Sequence, residues 1–390
     1  MLRLSEALSL PDDGFAGALA ARVWQPDADG PSVVALRPEG VVDITPSFAT
    51  MRDLCEAPDP AQALRAASGV RLGALEAILA NTPPDDRDPT RPWLLAPIDL
   101  QAIKAAGVTF AVSMLERVIE ERARGNPGAA AAIRAEINRL VGGDLGRLKP
   151  GSPQADDLKQ VLLAHGAWSQ YLEVGLGPDA EIFSKAQPMS AVGTGADAGI
   201  HPISTWNNPE PEVVIVVASS GAIVGATLGN DVNLRDLEGR SALLLGKAKD
   251  NNASCALGPF VRFFDSSFTL DDVRKMTVTL TVEGTDHFRL EGASSLLEIS
   301  RDPIDLVGQM MGAHHQYPDG AVLFLGTMFA PIEDRDAPGQ GFTHKVDDIV
   351  TIAAPQLGRL INRMRYAGDC APWRFGTSHL MRNLARRRLL

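Results

Sequence analysis

The sequence predicts an α+β fold with a largely antiparallel sheet. Three segments indicate this class, because each contains two apolar, strand-like runs separated by a turn signal: EVVIVVASSGAIVGATLGND, KMTVTLTVEGTDHFRLEG and DDIVTIAAPQLGRLINRMRY. Helical segments such as RDPIDLVGQMMGAHHQ and HLMRNLARR lie between these paired strands. Strand pairs interspersed with helices are typical of α+β proteins rather than of regularly alternating α/β folds.

Composition excludes several classes of protein. The chain has 390 residues, 45% of them hydrophobic, and this apolar fraction excludes intrinsic disorder. Its formal net charge of -11 argues against a nucleic-acid partner, because a negative surface repels phosphate backbones. The three cysteines are far apart and predict neither disulfides nor a zinc site. Since no apolar run reaches the roughly 20 residues of a membrane span, and no signal peptide is recognisable, we expect a cytoplasmic protein with no membrane partner.

The chain is expected to form two domains. Residues 1–92 predict a small N-terminal α/β domain, because SVVALRPEGVVDITP contains two short Val-rich strands around a Pro-Glu-Gly turn. Residues 81–93 are crowded with Pro and Asp, which neither a helix nor a central strand tolerates, so the boundary is placed there. Residues 93–390 would then form the second domain, with a helical insertion at about 114–170 whose apolar residues recur at helical spacing.

Three carboxylates are predicted to converge at the open end of one hairpin. Glu210 and Glu212 are two residues apart at the start of a strand, so both side chains lie on the same face. If the hairpin turns about Ser220-Gly221, antiparallel pairing places Asp231 opposite Glu210. Like charges that face each other in a sheet are destabilising, so such a cluster requires a cation or raised pKa values.

Three hard oxygen ligands favour Mg²⁺, with Mn²⁺ and Ca²⁺ as alternatives. The competing interpretation is that the carboxylates point into solvent at a strand end. Shortly after Asp231, Lys247 and Lys249 lie in a loop beside an apolar run. A lysine near a cation and carboxylates can stabilise negative charge that develops on a substrate oxygen.

At these residues the chain resembles the fumarylacetoacetate hydrolase superfamily. The resemblance runs from about residue 95 to 390 and rests on separated motifs that occur in the family's order: NNPEPEVV, LGNDVNLRD, GKAKDNNASCALGPF, FLGTMFAP and the tail that ends in GRLIN. It implies a mixed, mostly antiparallel β-roll or sandwich for residues 93–390. It also implies that Glu210, Glu212 and Asp231 bind the metal and that Lys249, rather than Lys247, is the site lysine.

Within the superfamily, the closer resemblance is to the sugar-acid dehydratases that act on 2-keto-3-deoxy-pentonates derived from D-xylonate or D-arabinonate. It extends to GVTFAVSMLERVIEERARG, WSQYLEV and HQYPDG. The expected reaction is a metal-assisted β-elimination of water in non-phosphorylated pentose catabolism, and its product would be 2,5-dioxopentanoate. The expected partner is therefore a small 2-keto acid.

The resemblance also suggests residues that contact the substrate. Family hydrolases have a water-activating His where this chain has Ser113, and a serine has no useful basicity near neutral pH. Glu116 is kept and is expected to take the C3 proton or to protonate the departing C4 hydroxyl, while Lys249 is expected to add positive charge near the developing oxyanion. Residues expected to bind the substrate are Ser113, Ser184, Lys185 and Thr327.

Two other functions stay open on the sequence. One is an acylpyruvate C–C hydrolase or an oxaloacetate decarboxylase on the same scaffold. The other is a non-catalytic protein that binds a metal and a keto acid. A homodimer or homotetramer is implied by the resemblance alone. The configuration of the substrate at C4 depends on loops that the sequence does not place.

Overall fold

The computed structural model describes residues 2–111, 114, 118, 122, 135, 148–166, 168–329, 331, 333–337 and 341–390. Much of the predicted helical insertion lies outside these described residues. The candidate residues Ser113 and Glu116 lie outside them as well.

The strands of the described residues are, in chain order, β1 Ala18–Gln25, β2 Gly30–Arg37, β3 Gly40–Asp43, β4 Val70–Gly73, β5 Trp93–Leu95, β6 Ala102–Gly107, β7 Glu181–Ala186, β8 Asp197–Ile200, β9 Asn207–Asn208, β10 Pro211–Val217, β11 Ile223–Asp231, β12 Asn233–Leu234, β13 Cys255–Phe263, β14 Thr277–Glu283, β15 Arg289–Ser295, β16 Ala321–Phe324, β17 Ile349–Ala354 and β18 Gly358–Tyr366. Each of the three predicted strand pairs is present, as β10/β11, β14/β15 and β17/β18.

The α-helices of the same residues are α1 Glu6–Ser9, α2 Met51–Cys55, α3 Pro60–Ala66, α4 Leu75–Ala80, α5 Pro153–Ala164, α6 Gln170–Leu176, α7 Arg235–Glu238, α8 Leu245–Lys249, α9 Leu270–Arg274, α10 Pro303–Met310 and α11 Thr377–Arg386. Several begin at a residue whose side-chain oxygen accepts a hydrogen bond from the first turn, among them Thr50, Asp59, Ser152 and Ser169. None of the described helices has the length and apolar character that a membrane span requires.

Eleven strands form the larger sheet. Ten follow the order β4-β3-β2-β1-β13-β11-β10-β16-β6-β7, and β5 pairs with β1. Neighbours are antiparallel except β16 and β6, so the predicted α+β class with a mostly antiparallel sheet is confirmed. Through the pairing of β1 with β13, the strands of residues 1–92 extend this sheet. The domain boundary at residue 92 stays a prediction.

A second sheet packs against the first and encloses the main apolar core. Its strand order is β15-β14-β17-β18-β8. Ile215 of β10 and Leu280 of β14 belong to one buried cluster, whereas Val214 and Val216 of β10 belong to a cluster that includes Leu54 and Leu64 of the N-terminal helices. Strand β10 is therefore buried on both faces, which explains its nearly continuous run of valine and isoleucine.

Candidate metal centre and active site

The three predicted carboxylates meet at the end of the β10/β11 hairpin. Each of Glu210, Glu212 and Asp231 offers a carboxylate oxygen, and these oxygens lie within 4.8 Å of one another. All three residues are buried. One divalent ion with metal–oxygen bonds of about 2.0–2.6 Å can reach oxygens spaced in this way.

The hairpin has the register that the sequence predicts. Pro211 pairs with Asn230 and Glu212 pairs with Gly229, while the backbone N–H of Asp231 donates to the carbonyl of Glu210 at 3.1 Å. The pairing shifts by one residue only near the turn, at Val216/Val217. Antiparallel pairing therefore places Asp231 beside the two glutamates.

Lys249 is in direct contact with this cluster. It is the last residue of helix α8, and its Nζ lies 2.5 Å from Glu210 Oε2 and 3.0 Å from Asp231 Oδ2. The amide of Asn233 donates to the other oxygen of Glu210 at 2.9 Å. The expected position of Lys249 beside the carboxylates is thus the one that the structure shows.

Lys185 lies behind the carboxylates. Its side chain is fully buried, and its Nζ lies 2.9 Å from Asp231 Oδ1 and donates to the carbonyl of Lys249 at 2.5 Å. It also approaches Ser254 Oγ at 3.4 Å. The sequence suggested that Lys185 binds a substrate carboxylate, but these contacts direct its charge to Asp231 instead. The structure therefore supports a positioning role for Lys185.

Ser184 is not brought to the cluster. Alternate residues of a strand point to opposite faces, so the inward side chains of Phe183 and Lys185 leave Ser184 on the other side of β7. There it is exposed and accepts a hydrogen bond from Lys104 Nζ at 2.8 Å. The expected contact between Ser184 and the substrate finds no support in this orientation.

Opposing charges give the carboxylates different protonation behaviour. Burial raises the pKa of Glu212 well above its ordinary value, and the negative charges of Asp231 and Glu210 raise it further. Burial would also raise the pKa of Asp231, but Lys185 and Lys249 outweigh it and lower the pKa of this group. The ammonium groups of Lys185 and Lys249 lie against Asp231 and Glu210, so Glu212 is the carboxylate whose negative charge is least compensated. A divalent cation would supply the missing charge, so the residues present fit a metal ion.

Thr327 lies in the wall of the pocket that contains the carboxylates. The preceding Gly326 donates its backbone N–H to Glu212 Oε2 at 2.6 Å. Gly326 has a φ of 88°, and a Cβ there would overlap the hydroxyl of Thr109, so this tight approach requires glycine. The Gly-Thr loop therefore reaches the site, as the sequence predicts.

Two further carboxylates line this pocket and were not singled out from the sequence. They are Glu181, the first residue of β7, and Glu238, the buried last residue of α7. Glu181 pairs with Gly107 of β6, and its carboxylate occupies the space that a side chain on Gly107 would fill. Glu181 lies two residues before Phe183 and four before Lys185, so strand alternation predicts that all three side chains share one face. This spacing was the signal that could have revealed Glu181.

The histidines do not join the metal cluster. His314 and His315 are exposed, and the group of potential ligands found among the described residues contains neither. His344 is buried, and its Nδ1 lies 3.1 Å from Asp348 Oδ2. Burial lowers the pKa of His344, against the opposing effect of Asp348. His344 is thus a buried imidazole paired with Asp348.

Comparison with known proteins identifies the domain that contains the site. Residues 177–365 match the family described as fumarylacetoacetate (FAA) hydrolase, C-terminal. A 2-dehydro-3-deoxy-D-arabinonate dehydratase of Saccharolobus solfataricus is 31% identical over 188 residues, which are 47% of this chain and 58% of that protein. A protein of Haloferax volcanii named "Probable 2-keto-3-deoxyxylonate dehydratase" is 32% identical over 192 residues, 49% of this chain and 62% of that protein. The chain thus spans about three fifths of the length of these curated relatives.

Solved structures share the fold. A 2-keto-3-deoxy-D-arabinonate dehydratase complexed with magnesium and 2,5-dioxopentanoate has a TM-score of 0.60 and 21% identity, and the match covers 89% of this chain and 99% of that chain. A 5-carboxymethyl-2-hydroxymuconate delta-isomerase from Mycobacterium smegmatis has a TM-score of 0.50 and 18% identity, with 89% and 98% covered. The same architecture therefore occurs in proteins with different names. The carboxylates, Lys249, Glu181 and Thr327 all fall within residues 177–365, the segment that matches the fumarylacetoacetate hydrolase family.

Proposed function

We propose that this chain is a metal-dependent hydro-lyase that converts a 2-keto-3-deoxy-pentonate into 2,5-dioxopentanoate in pentose catabolism. The observation that carries this proposal is the buried cluster of Glu210, Glu212 and Asp231 with Lys249 in contact. Two curated relatives that match about half of this chain have names of this activity. The proposed metal is Mg²⁺, because it prefers oxygen ligands and is named in the related structure with product.

The reaction removes one proton from C3 and the hydroxyl group from C4, which leave together as water. A proton then moves from C5 to C3, and the resulting enol becomes the C5 aldehyde. A bound Mg²⁺ would supply Lewis-acid polarisation of the C2 keto oxygen. The chain itself has to position the acid, remove the C3 proton and protonate the departing hydroxyl.

Glu181 is the proposed group for the C3 proton among the described residues. It lines the pocket beside Gly107 and Phe183, on the same strand as the buried Lys185. An ionised carboxylate next to apolar walls can act as a general base. Glu116, which lies outside the described residues, stays the alternative that the sequence suggests.

Lys249 is proposed to stabilise negative charge on the substrate oxygen and to donate a proton to the departing hydroxyl. Its ammonium group already contacts Glu210 and Asp231, so it lies beside the proposed metal site. Thr327 lies in the pocket wall, and its hydroxyl is proposed to form a hydrogen bond to a substrate hydroxyl. A cytoplasmic location and a homodimer or homotetramer belong to the same proposal.

The direct test is incubation of the purified protein with 2-keto-3-deoxy-D-xylonate and Mg²⁺. We expect an aldehyde product that an aldehyde dehydrogenase oxidises, and we expect its formation to stop with a chelator or in Glu210→Gln. Glu291→Gln, an exposed glutamate on β15, is the matched control and should keep full activity. Cleavage of an acylpyruvate without dehydration would assign the site to C–C hydrolysis instead. Metal-dependent thermal stabilisation without any turnover would indicate a binding protein.

A further inference from the structure

A second cleft lies at the junction of the N-terminal strands and the C-terminal segment. We call it the Trp cleft, and its characteristic wall residues are Trp24, Trp93, Trp373, Arg22, Arg87 and Arg374. It thus contains three of the five tryptophans of the chain. Its cavity volume is about 320 Å³, within the range of small-molecule sites. None of its wall residues belongs to the wall of the carboxylate pocket.

The aromatic wall is held rigidly by the sheet. Trp24 of β1 pairs with Trp93 of β5, and their rings stack with centroids 5.9 Å apart and an angle of 18°. Phe375 contacts Trp24 edge-on, with centroids 5.2 Å apart. The guanidinium of Arg87 lies 4.7 Å from the ring centre of Trp93. A rigid aromatic wall of this kind favours the packing of a planar ring against it.

The charge of the cleft is opposite to that of the whole chain. Its wall contains three arginines and, among the described residues, no aspartate or glutamate, although the chain has a formal net charge of -11. Arg374 is exposed, and no hydrogen bond or ion pair to it occurs within the described part of the chain. Arg22 lies near Asp99, so the charge of Arg374 is the one that would attract an anion to this surface.

Arg22 supplies a buried donor in the same wall. It is 4% exposed, and its Nη1 donates to the carbonyls of Ala96 and Ile98. Its Nε lies 3.7 Å from Asp99, while the hydrogen-bond partner of Nη2 among the described residues is the sulfur of Met189, at 3.8 Å. A thioether is a weak acceptor, so this buried N–H group is poorly satisfied by the chain. An oxygen of a ligand would satisfy it better.

We propose that the Trp cleft binds a small molecule that has a planar ring and an anionic group, a carboxylate or a phosphate. The ring packs against the aromatic wall of Trp24, Trp93 and Trp373, and the anion accepts hydrogen bonds from Arg22 and Arg374. The ring and the anion are both required, because the wall presents aromatic faces and guanidinium groups side by side. The site is independent of the proposed dehydration.

Tryptophan fluorescence and calorimetry on the full chain test this proposal with four probes. AMP and benzoate have both a ring and an anion, whereas adenosine has only the ring and inorganic phosphate has only the anion. We expect saturable quenching by AMP, by benzoate or by both, at least about tenfold tighter than by adenosine or phosphate, since one lost charge-assisted hydrogen bond costs about this factor. Saturation by AMP alone identifies a nucleotide, and saturation by benzoate alone identifies an aromatic acid.

Matched variants locate the binding. Trp24→Phe should reduce the quenching, because one of the three cleft tryptophans is lost, whereas Trp168→Phe, outside the cleft, should not. Arg374→Gln should weaken binding at least about tenfold, whereas Arg382→Gln, an exposed arginine on the same C-terminal segment, should leave it unchanged. No saturable binding of AMP or benzoate, or equal binding by Arg374→Gln, would overturn the proposal. So would dissociation of an oligomer by Trp373→Ala, because the cleft would then be a subunit contact.

Discussion

The ammonium group of Lys185 lies 2.9 Å from Asp231 Oδ1 with both side chains almost completely buried. Lys249 approaches the other oxygen of Asp231 at 3.0 Å, so this carboxylate is held between two lysines. Lys185 also binds the backbone carbonyl of Lys249, at 2.5 Å. One buried lysine thereby orients both a candidate metal ligand and the candidate catalytic lysine.

Replacement of Lys185 by methionine should destabilise the metal-free protein by about 3 kcal/mol, because it leaves a buried carboxylate with one cation fewer. Saturating Mg²⁺ should recover part of this loss, since the ion would supply positive charge to the same oxygens. Urea denaturation in a chelator and in Mg²⁺ measures both effects. Lys104→Met removes a lysine that bonds to Ser184 on the outer side of β7 and serves as the control. Equal stability of Lys185→Met and wild type in the chelator would refute the positioning role.

Glu212→Gln should separate folding from metal binding. The raised pKa of Glu212 shows that the protein without a metal disfavours its charge, so a neutral isostere should be at least as stable as the wild type in a chelator. Its amide oxygen can still accept the N–H of Gly326. Mg²⁺ at about 100 times its dissociation constant should stabilise the wild type by about 2.7 kcal/mol and the variant by far less. Thermal melting with and without Mg²⁺ tests this expectation, and similar shifts for both proteins would contradict it.

Gly107→Ala should impair catalysis more than folding. The new Cβ would overlap the carboxylate of Glu181, which is the end of a flexible side chain and can move away. We therefore expect kcat to fall at least about tenfold while the free energy of unfolding changes by less than about 1 kcal/mol. Gly308→Ala, at an open position on helix α10, is the control and should keep full activity. Unchanged kcat in Gly107→Ala would exclude Glu181 as the proton carrier.

The contacts of Asp265 predict how the free energy of unfolding depends on pH. Burial would raise its pKa, but hydrogen bonds from Ser267 and an ion pair with Arg65 of helix α3 lower the pKa to about 2. A carboxylate whose pKa is lowered in the folded state stabilises the protein above its ordinary pKa of 3.8, and this stabilisation is lost as the pH falls through about 2.

Asp265→Asn should therefore reduce the free energy of unfolding by about 1–2 kcal/mol at neutral pH, allowing for the exposure of Arg65. The difference in the free energy of unfolding between the variant and the wild type should narrow below pH 3.8 and vanish near pH 2. Urea titrations across this range measure the effect, with the exposed Asp369→Asn as the control. A difference that does not depend on pH would mean that the hydrogen bonds, rather than the charge, stabilise this loop.

Local rules were sufficient to predict the carboxylate cluster. Two-residue alternation places Glu210 and Glu212 on one face, and a turn at Ser220-Gly221 brings Asp231 opposite them. Both rules act within a single hairpin, so no distant part of the chain has to be known. The predicted strand pairs β14/β15 and β17/β18 were correct for the same reason.

Strand faces that depend on distant partners could not be assigned in this way. The family resemblance associates Ser184 and Lys185 with the site, but the sequence does not say which face of β7 turns inward. The structure turns Phe183 and Lys185 inward and leaves Ser184 outside, because β7 pairs with β6 and β6 pairs with β16. The same orientation brings Glu181 into the pocket, whereas Glu116 lies outside the described residues and its role stays a prediction.

The sequence by itself was sufficient to predict the α+β class, the register of the β10/β11 hairpin, the convergence of three carboxylates and the position of Lys249 beside them, because turns and alternation act over a few residues and the family motifs are short. Only the tertiary structure decided that β1 joins β13, that Lys185 binds Asp231 rather than facing the pocket, and that the Trp cleft exists. These features bring together residues that are distant along the chain. Their proximity depends on which strands pair and which faces are buried, and this follows from the packing of the whole core rather than from any local pattern.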